Sequence, residues 1–349
     1  MISDAMLLVN ALRDPATTRE LAANGWTALI TIARAEQLIG TLAHRLQADA
    51  VPEKIAEILN DARTNAAHQK RSALWEADCA ARALADYDGK VVLLKGTAYV
   101  AAGLQAGEGR HIGDLDILIA RDDLPQVEAL LLSKGGWEWV KEDAYDDAYY
   151  RDHMHELPPM IHKDRDRMID VHHTILPLTA GPTPDAAAMI DLALEMPNGL
   201  WTLMPEHMIV HSAAHLLADG DLTGGLRNLW DIHCLATEFD ETHDDFYLSV
   251  AEEAWLHGLS EPVNRALRLS RTLFGTALRS YSYPATVSYP HSRDDKWYIA
   301  RLTARDHWGR PTRKITRFAF YIRSHWLRMP PLMLARHLFT KWRKAKDKK

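Results

Sequence analysis

The sequence predicts an α+β protein: a small mixed β-sheet core flanked by N-terminal and C-terminal helical regions. Three observations predict it. Apolar residues recur at three- and four-residue spacing from about residue 7 to 84. Short apolar runs separated by turn signals fill about residues 88–175, and helical spacing returns beyond Thr183. We divide the chain into an N-terminal helical region (1–87), an α/β core (88–180), a C-terminal helical region (181–310) and a basic amphipathic tail (311–349).

The elements follow in order. Pro15 and Pro52 fall near starts within the first helical region. Val91, Val92, Leu93 and Leu94 form a short strand. Lys95-Gly96-Thr97 turns it, and the small residues of 98–104 suit a helix. A loop over 105–113 with three glycines precedes a strand over 114–119, and Asp122 or Asp123 is placed to cap a helix over 124–133 that stops at Gly135-Gly136. Residues 137–140 read as a strand, followed by a polar aromatic loop. Residues 157–162 and 168–172 read as a hairpin around 163–167. Helices are expected over 205–217, 226–236 and 251–274, then a turn-rich stretch over 281–294.

Composition narrows the function classes. Residues 311–349 carry twelve Lys/Arg and one acid, Asp347, which leaves 29 basic and 46 acidic residues in the body. An acidic body is a poor general binder of nucleic acid, whereas the tail suits phosphates. Eleven Trp and eleven Tyr argue against disorder. Cys79 and Cys234 are too few and too far apart for a disulfide framework or a cysteine-built zinc site. The N-terminus lacks a basic n-region and a small-residue cleavage signal, and no run reaches the about 18 apolar residues of a membrane span. The expected location is cytoplasmic, with any membrane contact peripheral.

Asp114 and Asp116 carry the most information. Strand side chains alternate faces, so these two carboxylates point one way while Leu115 and Ile117 point the other. Like charges that close repel unless a cation separates them, and an oxygen-only set suits Mg²⁺, with Mn²⁺ as a substitute. Asp170, flanked by Ile169 and Val171, has a similar setting. Three acids converging from two strands are suited to hold two magnesium ions for an in-line phosphoryl displacement. Lys95-Gly96-Thr97, at a helix start, reads as an anion site with a point charge and a hydroxyl, and Arg110 in the next loop is placed to grip a phosphate oxygen.

Other signals leave alternatives open. His207, His211, His215 and Asp219 are four apart on one expected helix, which suits either a zinc set or a polar stripe along an acceptor cleft or in solvent. His153, His155, His172 and His173 lie near the acids in sequence and are candidates to bind phosphate or support Asp170. Arg227 and Asp231 read as an intrahelical ion pair. Ile315, Phe318, Ala319, Ile322 and Trp326 keep helical spacing, as do Leu332, Ala335, Phe339 and Trp342. These two basic amphipathic helices suit anionic lipid, nucleic acid, or packing onto the body. Neither G-x-x-x-x-G-K-[ST], G-x-G-x-x-G nor G-x-S-x-G occurs, which argues against the usual P-loop, dinucleotide and hydrolase-elbow readings.

The stretch VVLLKGTAYVAAGLQAGEGRHIGDLDILIARDDLPQVEALLLSKGGW resembles the uncharacterised nucleotidyltransferase family of the polymerase-beta-like superfamily. An apolar strand, L-K-G, a helix and R-x-x-x-D-[IL]-D carry the likeness, and Gly25-Trp26, Ala33, Ile169-Asp170-Val171-His172 and the segment around Arg227 and Asp231 extend it over roughly residues 20–240. Lys95-Gly96-Thr97 stands where the wider superfamily carries Gly-Ser. The resemblance implies a nucleotidyltransferase core that moves a nucleoside monophosphate from an NTP to an acceptor (a small molecule, sugar or peptide) and releases pyrophosphate. It makes Asp114, Asp116 and Asp170 the catalytic metal ligands, with Asp170 also a base for the attacking hydroxyl, and Lys95, Gly96, Thr97 and Arg110 the nucleotide contacts. The competing expectation is a catalytically silent nucleotide-binding adaptor of the same fold, reaching a membrane or partner through its tail.

Overall fold

The computed structural model describes residues 4–46, 51–141, 143–277, 294–329 and residue 334. Four helices lead in: α1 (Met6–Arg13), α2 (Ala23–Ala35), α3 (Ile39–Arg45) and the long α4 (Glu53–Ala83), which starts directly after Pro52. The expected helical lead-in is therefore present. Leu8, Leu12, Leu29, Ile32 and Leu42 are fully buried at helical spacing in one continuous core, each contributing about 1.5–3 kcal/mol of apolar burial.

The sheet has seven strands in the order β3-β4-β5-β2-β1-β7-β6. They are β1 (Val92–Leu93), β2 (Asp114–Leu118), β3 (Trp137–Trp139), β4 (Met160–His162), β5 (Met168–His172), β6 (Leu194–Glu195) and β7 (Trp201–Thr202). Antiparallel β1–β2 and β4–β5 pairs flank a parallel β2–β5 pair, so the sheet is mixed as expected. Leu115, Ile117, Ile169 and Val171 are buried on one face and leave the acids on the other. The predicted hairpin forms, its second strand with the expected bounds and its first shortened to Met160–His162.

Four local expectations need correction. The helix α5 (Lys95–Ala101) begins at Lys95, so Lys95-Gly96-Thr97 is its first turn. The polar aromatic loop contains the helix α7 (Ala144–His153), started by Asp143, whose side chain accepts from the Tyr145 and Asp146 amides. No α7 residue is buried, which is why no apolar period marked it. Beyond Thr183 the chain is not purely helical: after α8 (Ala186–Asp191), β6 and β7 extend the sheet, strands too short to carry a period-two signal. The helix α6 (Leu124–Leu130) continues as a π-turn over Leu131–Gly135 and ends at Gly136 as expected, but Asp123 does not cap it with its side chain, and its Oδ2 accepts from Tyr87 Oη at 2.8 Å instead.

The C-terminal helices are α9 (Pro205–Ala213), continued by a π-turn over Ala214–Asp219, α10 (Gly225–Thr242), α11 (Phe246–Leu256), α12 (Ser260–Phe274), α13 (Asp295–Leu302) and α14 (Lys314–Arg328). The first tail helix is thus α14, and it packs on α13 and on the π-turn. The turn-rich reading over 281–294 lies outside the described residues except for Asp294, and the second tail helix lies outside them except for Leu334. Among the described residues no helix is long and apolar enough to cross a membrane.

One close approach fixes the loop that leads into β2. Gly109 has φ +66°, and a Cβ built there would lie 2.3 Å from the Gly40 carbonyl carbon in α3. Only glycine allows both the left-handed backbone and this distance. Gly109→Ala is expected to cost at least about 2 kcal/mol, measured as a lower denaturation midpoint, whereas Gly103→Ala, which meets nothing within 4 Å, is expected to cost less.

Candidate active site

Register builds the acidic cluster. Asp116 of β2 pairs with Asp170 of β5 across the parallel ladder, and Asp114 lies two residues earlier on the same face as Asp116. The three carboxylates offer oxygens within 4.8 Å of one another. Asp116 is buried, Asp170 half-buried and Asp114 exposed at the strand start, so the cluster runs from the interior to solvent.

The charges around it are unequal. Lys95 Nζ lies 2.6 Å and His172 Nε2 3.0 Å from the same oxygen, Asp116 Oδ1. Burial alone raises the Asp116 carboxyl, but Lys95 and His172 outweigh it and hold the group below the ordinary carboxylate range. Among the described residues no cation hydrogen-bonds Asp170, and the Lys95 charge lowers it less than its surroundings raise it. Burial, followed by the Asp116 and Asp114 charges, pushes it up to about 7. Loss of solvent and the Asp116 charge also raise Asp114. A set of three acids in which two resist ionisation is one that a bound cation relieves, and all-carboxylate donors fit Mg²⁺.

The nucleotide-side residues separate into two groups. Lys95 has φ +48°, a left-handed conformation that costs a non-glycine residue about 1–2 kcal/mol, and its ammonium faces the acids. Thr97 is buried in the first turn of α5. Arg110, by contrast, is held from behind: its Nε donates to Asp231 Oδ2 at 3.0 Å, and its guanidinium lies so close to Gly96 that a Cβ there would fall 2.1 Å from Nη1. Asp231 also receives Arg227 Nη2 at 2.6 Å, the expected intrahelical pair, and Arg227 Nη1 donates to Thr41 Oγ1 at 2.7 Å. Asp231 therefore ties α10 to the loop before β2, and Arg227 ties it to α3.

The histidines divide in the same way. His172 joins the site through Asp116, and His155 stacks on it with ring centroids 5.2 Å apart, both close to Glu156. His173, just past the end of β5, lines a separate hollow with Arg121 and Leu157, while His153, at the end of α7, meets Tyr149. The four-residue stripe is split. His207 hydrogen-bonds Glu253 at 2.8 Å and lies 3.2 Å from His257, whereas His211 and His215 lie near Lys95, burial and that cation keeping both neutral, His215 at about 3. Among the described residues no metal-ligand cluster contains His211 or His215, and the Asp219 side chain lies outside the described residues.

A cavity of about 280 Å³ opens beside His215, lined by Thr223, Asn228, Tyr321, His325 and Arg328 among others. The sequence reading named His172 and Asp231 but not the partners they take here, Asp116 and Arg110. His172 is two residues from Asp170, so strand alternation alone places it on the acid face, diagonally opposite Asp116. Asp231 has no local signal for Arg110, which is 121 residues away.

Comparison with curated proteins finds no match. Residues 22–275, most of the chain and the whole of the sheet, match the model of the uncharacterised nucleotidyltransferase family, and the chain belongs to that family of transferases.

Proposed function

We propose that the chain transfers a nucleoside monophosphate from an NTP to a hydroxyl-type acceptor and releases pyrophosphate. The observation that carries this reading is the in-register pairing of Asp116 with Asp170, which gathers three carboxylates on one face of the sheet. In this reading Asp114, Asp116 and Asp170 hold Mg²⁺, or Mn²⁺ in its place. A cation held there would supply charge neutralisation for phosphoryl transfer. Lys95, Gly96 and Thr97 meet the triphosphate, and Arg110 supports that turn through its packing on Gly96. Asp170, with a pKa near neutrality, accepts the proton of the acceptor hydroxyl. The acceptor occupies the side of the cleft where His215 and the cavity next to it lie.

The domain division proposed from the sequence keeps chemistry in 88–180 and acceptor choice in the helices beyond. The test is an assay with labelled NTPs, Mg²⁺ and a panel of small-molecule, sugar and peptide acceptors. Pyrophosphate release that requires both metal and acceptor supports the proposal, and absence of both NTP binding and turnover removes it.

A second reading, a catalytically silent nucleotide-binding adaptor, is favoured by one observation: the Lys95 ammonium already neutralises Asp116, as a metal would. It requires nucleotide binding that persists without turnover under every acceptor.

Metal binding is expected to depend on pH. Below pH about 7 the ion must displace a proton from Asp170, so Mg²⁺ affinity should fall by up to about tenfold per unit. The stability sign is the reverse of the usual acid case. A folded-state pKa raised above the ordinary 3.8 gives stability that is full below that value and is lost as pH rises through about 7. Titration calorimetry and thermal unfolding should therefore show a larger Mg²⁺-induced stabilisation at pH about 8 than at about 6. An equal shift at both would exclude Asp170 as a ligand.

A further inference from the structure

Helix α14 shows the solvent a surface that the nucleotide site does not use. One side of it is docked: Phe320 and Ser324 are buried, Phe320 meets Tyr298 edge-on at 5.1 Å between ring centroids, and Arg323 Nη2 donates to Leu217 O at 2.7 Å. Thr179 Oγ1 also donates to the Arg328 carbonyl. The other side is apolar. Ile315, Phe318, Ile322 and Trp326 follow one another at helical spacing and are 86, 63, 49 and 63% exposed. Exposed large apolar side chains lined up on one face, as opposed to scattered singly, mark an interaction surface.

The charge pattern selects the partner. Arg313 and Lys314 stand exposed at the start of the stripe. The chain has no acid between Asp306 and Asp347, and residues 336–349 add seven Lys/Arg. An anionic partner is therefore favoured over a basic or neutral one. Single-stranded nucleic acid is bound by aromatic stacking along a basic groove. Ile315 and Ile322, half of the stripe, contribute no stacking. An acyl and headgroup boundary takes aliphatic and aromatic residues alike, with Lys and Arg beside the phosphates.

We propose that α14 lays its Ile315, Phe318, Ile322 and Trp326 stripe on an anionic lipid surface, with the surrounding Lys and Arg residues drawn to the headgroups. Binding is interfacial and not spanning, since α14 has 15 residues and its opposite side stays docked on the body. Tyr321, His325 and Arg328 of the same helix line the cavity beside His215, so the lipid-facing helix borders that cavity.

The test uses the full chain in co-sedimentation with vesicles of phosphatidylcholine alone and of a phosphatidylcholine and phosphatidylserine mixture, and does not depend on nucleotide chemistry. The wild type should sediment with the mixed vesicles only, and less so when salt shortens the Debye length. Phe318→Glu with Trp326→Glu should weaken this by about tenfold or more. Both side chains are exposed, so the unfolding temperature of the double variant should match the wild type and separate loss of binding from loss of fold. The proposal is overturned if the wild type fails to bind mixed vesicles or if the double variant binds as well as the wild type. It is also overturned if gel filtration shows the stripe joining two copies with no vesicle binding, or if a single-stranded oligonucleotide is retained where vesicles are not.

Discussion

Asp114→Asn is expected to reduce nucleotidyl transfer by about a thousandfold or more, the loss of roughly 4 kcal/mol of transition-state stabilisation, without unfolding the protein. Asp114 sits exposed at the start of β2, and its carboxyl is raised by loss of solvent and by its neighbour Asp116. Removing that charge relieves repulsion, so the metal-free variant should melt at the same temperature as the wild type or higher. It should also lose most of the Mg²⁺-induced stabilisation. Asp116→Asn should be equally inactive but less informative, because Asp116 is the buried counter-charge of Lys95. Without it an ammonium is left uncompensated, at a cost of about 3–5 kcal/mol. Kinetics and thermal melts on the two variants together separate the roles. Turnover within tenfold of wild type in Asp114→Asn would show that the acid cluster is not the metal site.

Asp231→Asn is expected to be the most destabilising single change outside the acid cluster. Asp231 is 2% exposed and accepts from two guanidiniums, Arg110 at 3.0 Å and Arg227 at 2.6 Å. Breaking a buried pair by removing one partner costs about 3–5 kcal/mol, and this change strands two cations. The unfolding temperature should fall on the order of 10 °C. Glu261→Gln is the control: it breaks the Arg265 pair at 2.5 Å, but the Glu261 side chain is 63% exposed, so it should cost less than about 1 kcal/mol. A further consequence follows for the site. Freed from Asp231, Arg110 no longer packs on Gly96, so nucleotide affinity should fall even where the variant remains folded, measured by titration at a temperature well below its melt. Equal stability of Asp231→Asn and Glu261→Gln would mean that the three-residue network contributes nothing to the fold.

The elements that sequence reading located well are those with a period or a punctuation mark. The strand around Ile117, the hairpin around Asp166 and the helices of the lead-in declare themselves because side-chain alternation and helical spacing are properties of neighbours along the chain. The same alternation put Asp114 and Asp116 on one face before any tertiary contact was known. The helix α7 and the two-residue strands β6 and β7 were missed for the converse reason: an unburied helix has no apolar period, and two residues cannot display one.

The acids in this chain are chosen locally, but their charges are set by contacts distant in sequence. That Asp116 carries the site's cation follows from Lys95 and His172, 21 and 56 residues away from it, meeting a single oxygen. That Arg110 is held by a carboxylate follows from a helix 121 residues further on, and that the α14 stripe faces outward follows from Phe320 and Arg323 docking its other side. Periodicity reports which side chains share a face. Which of those faces meets another, and therefore which charge is neutralised and which apolar surface is left in water, is decided only when the chain closes on itself, because Coulomb and packing energies depend on distance through space and not along the sequence.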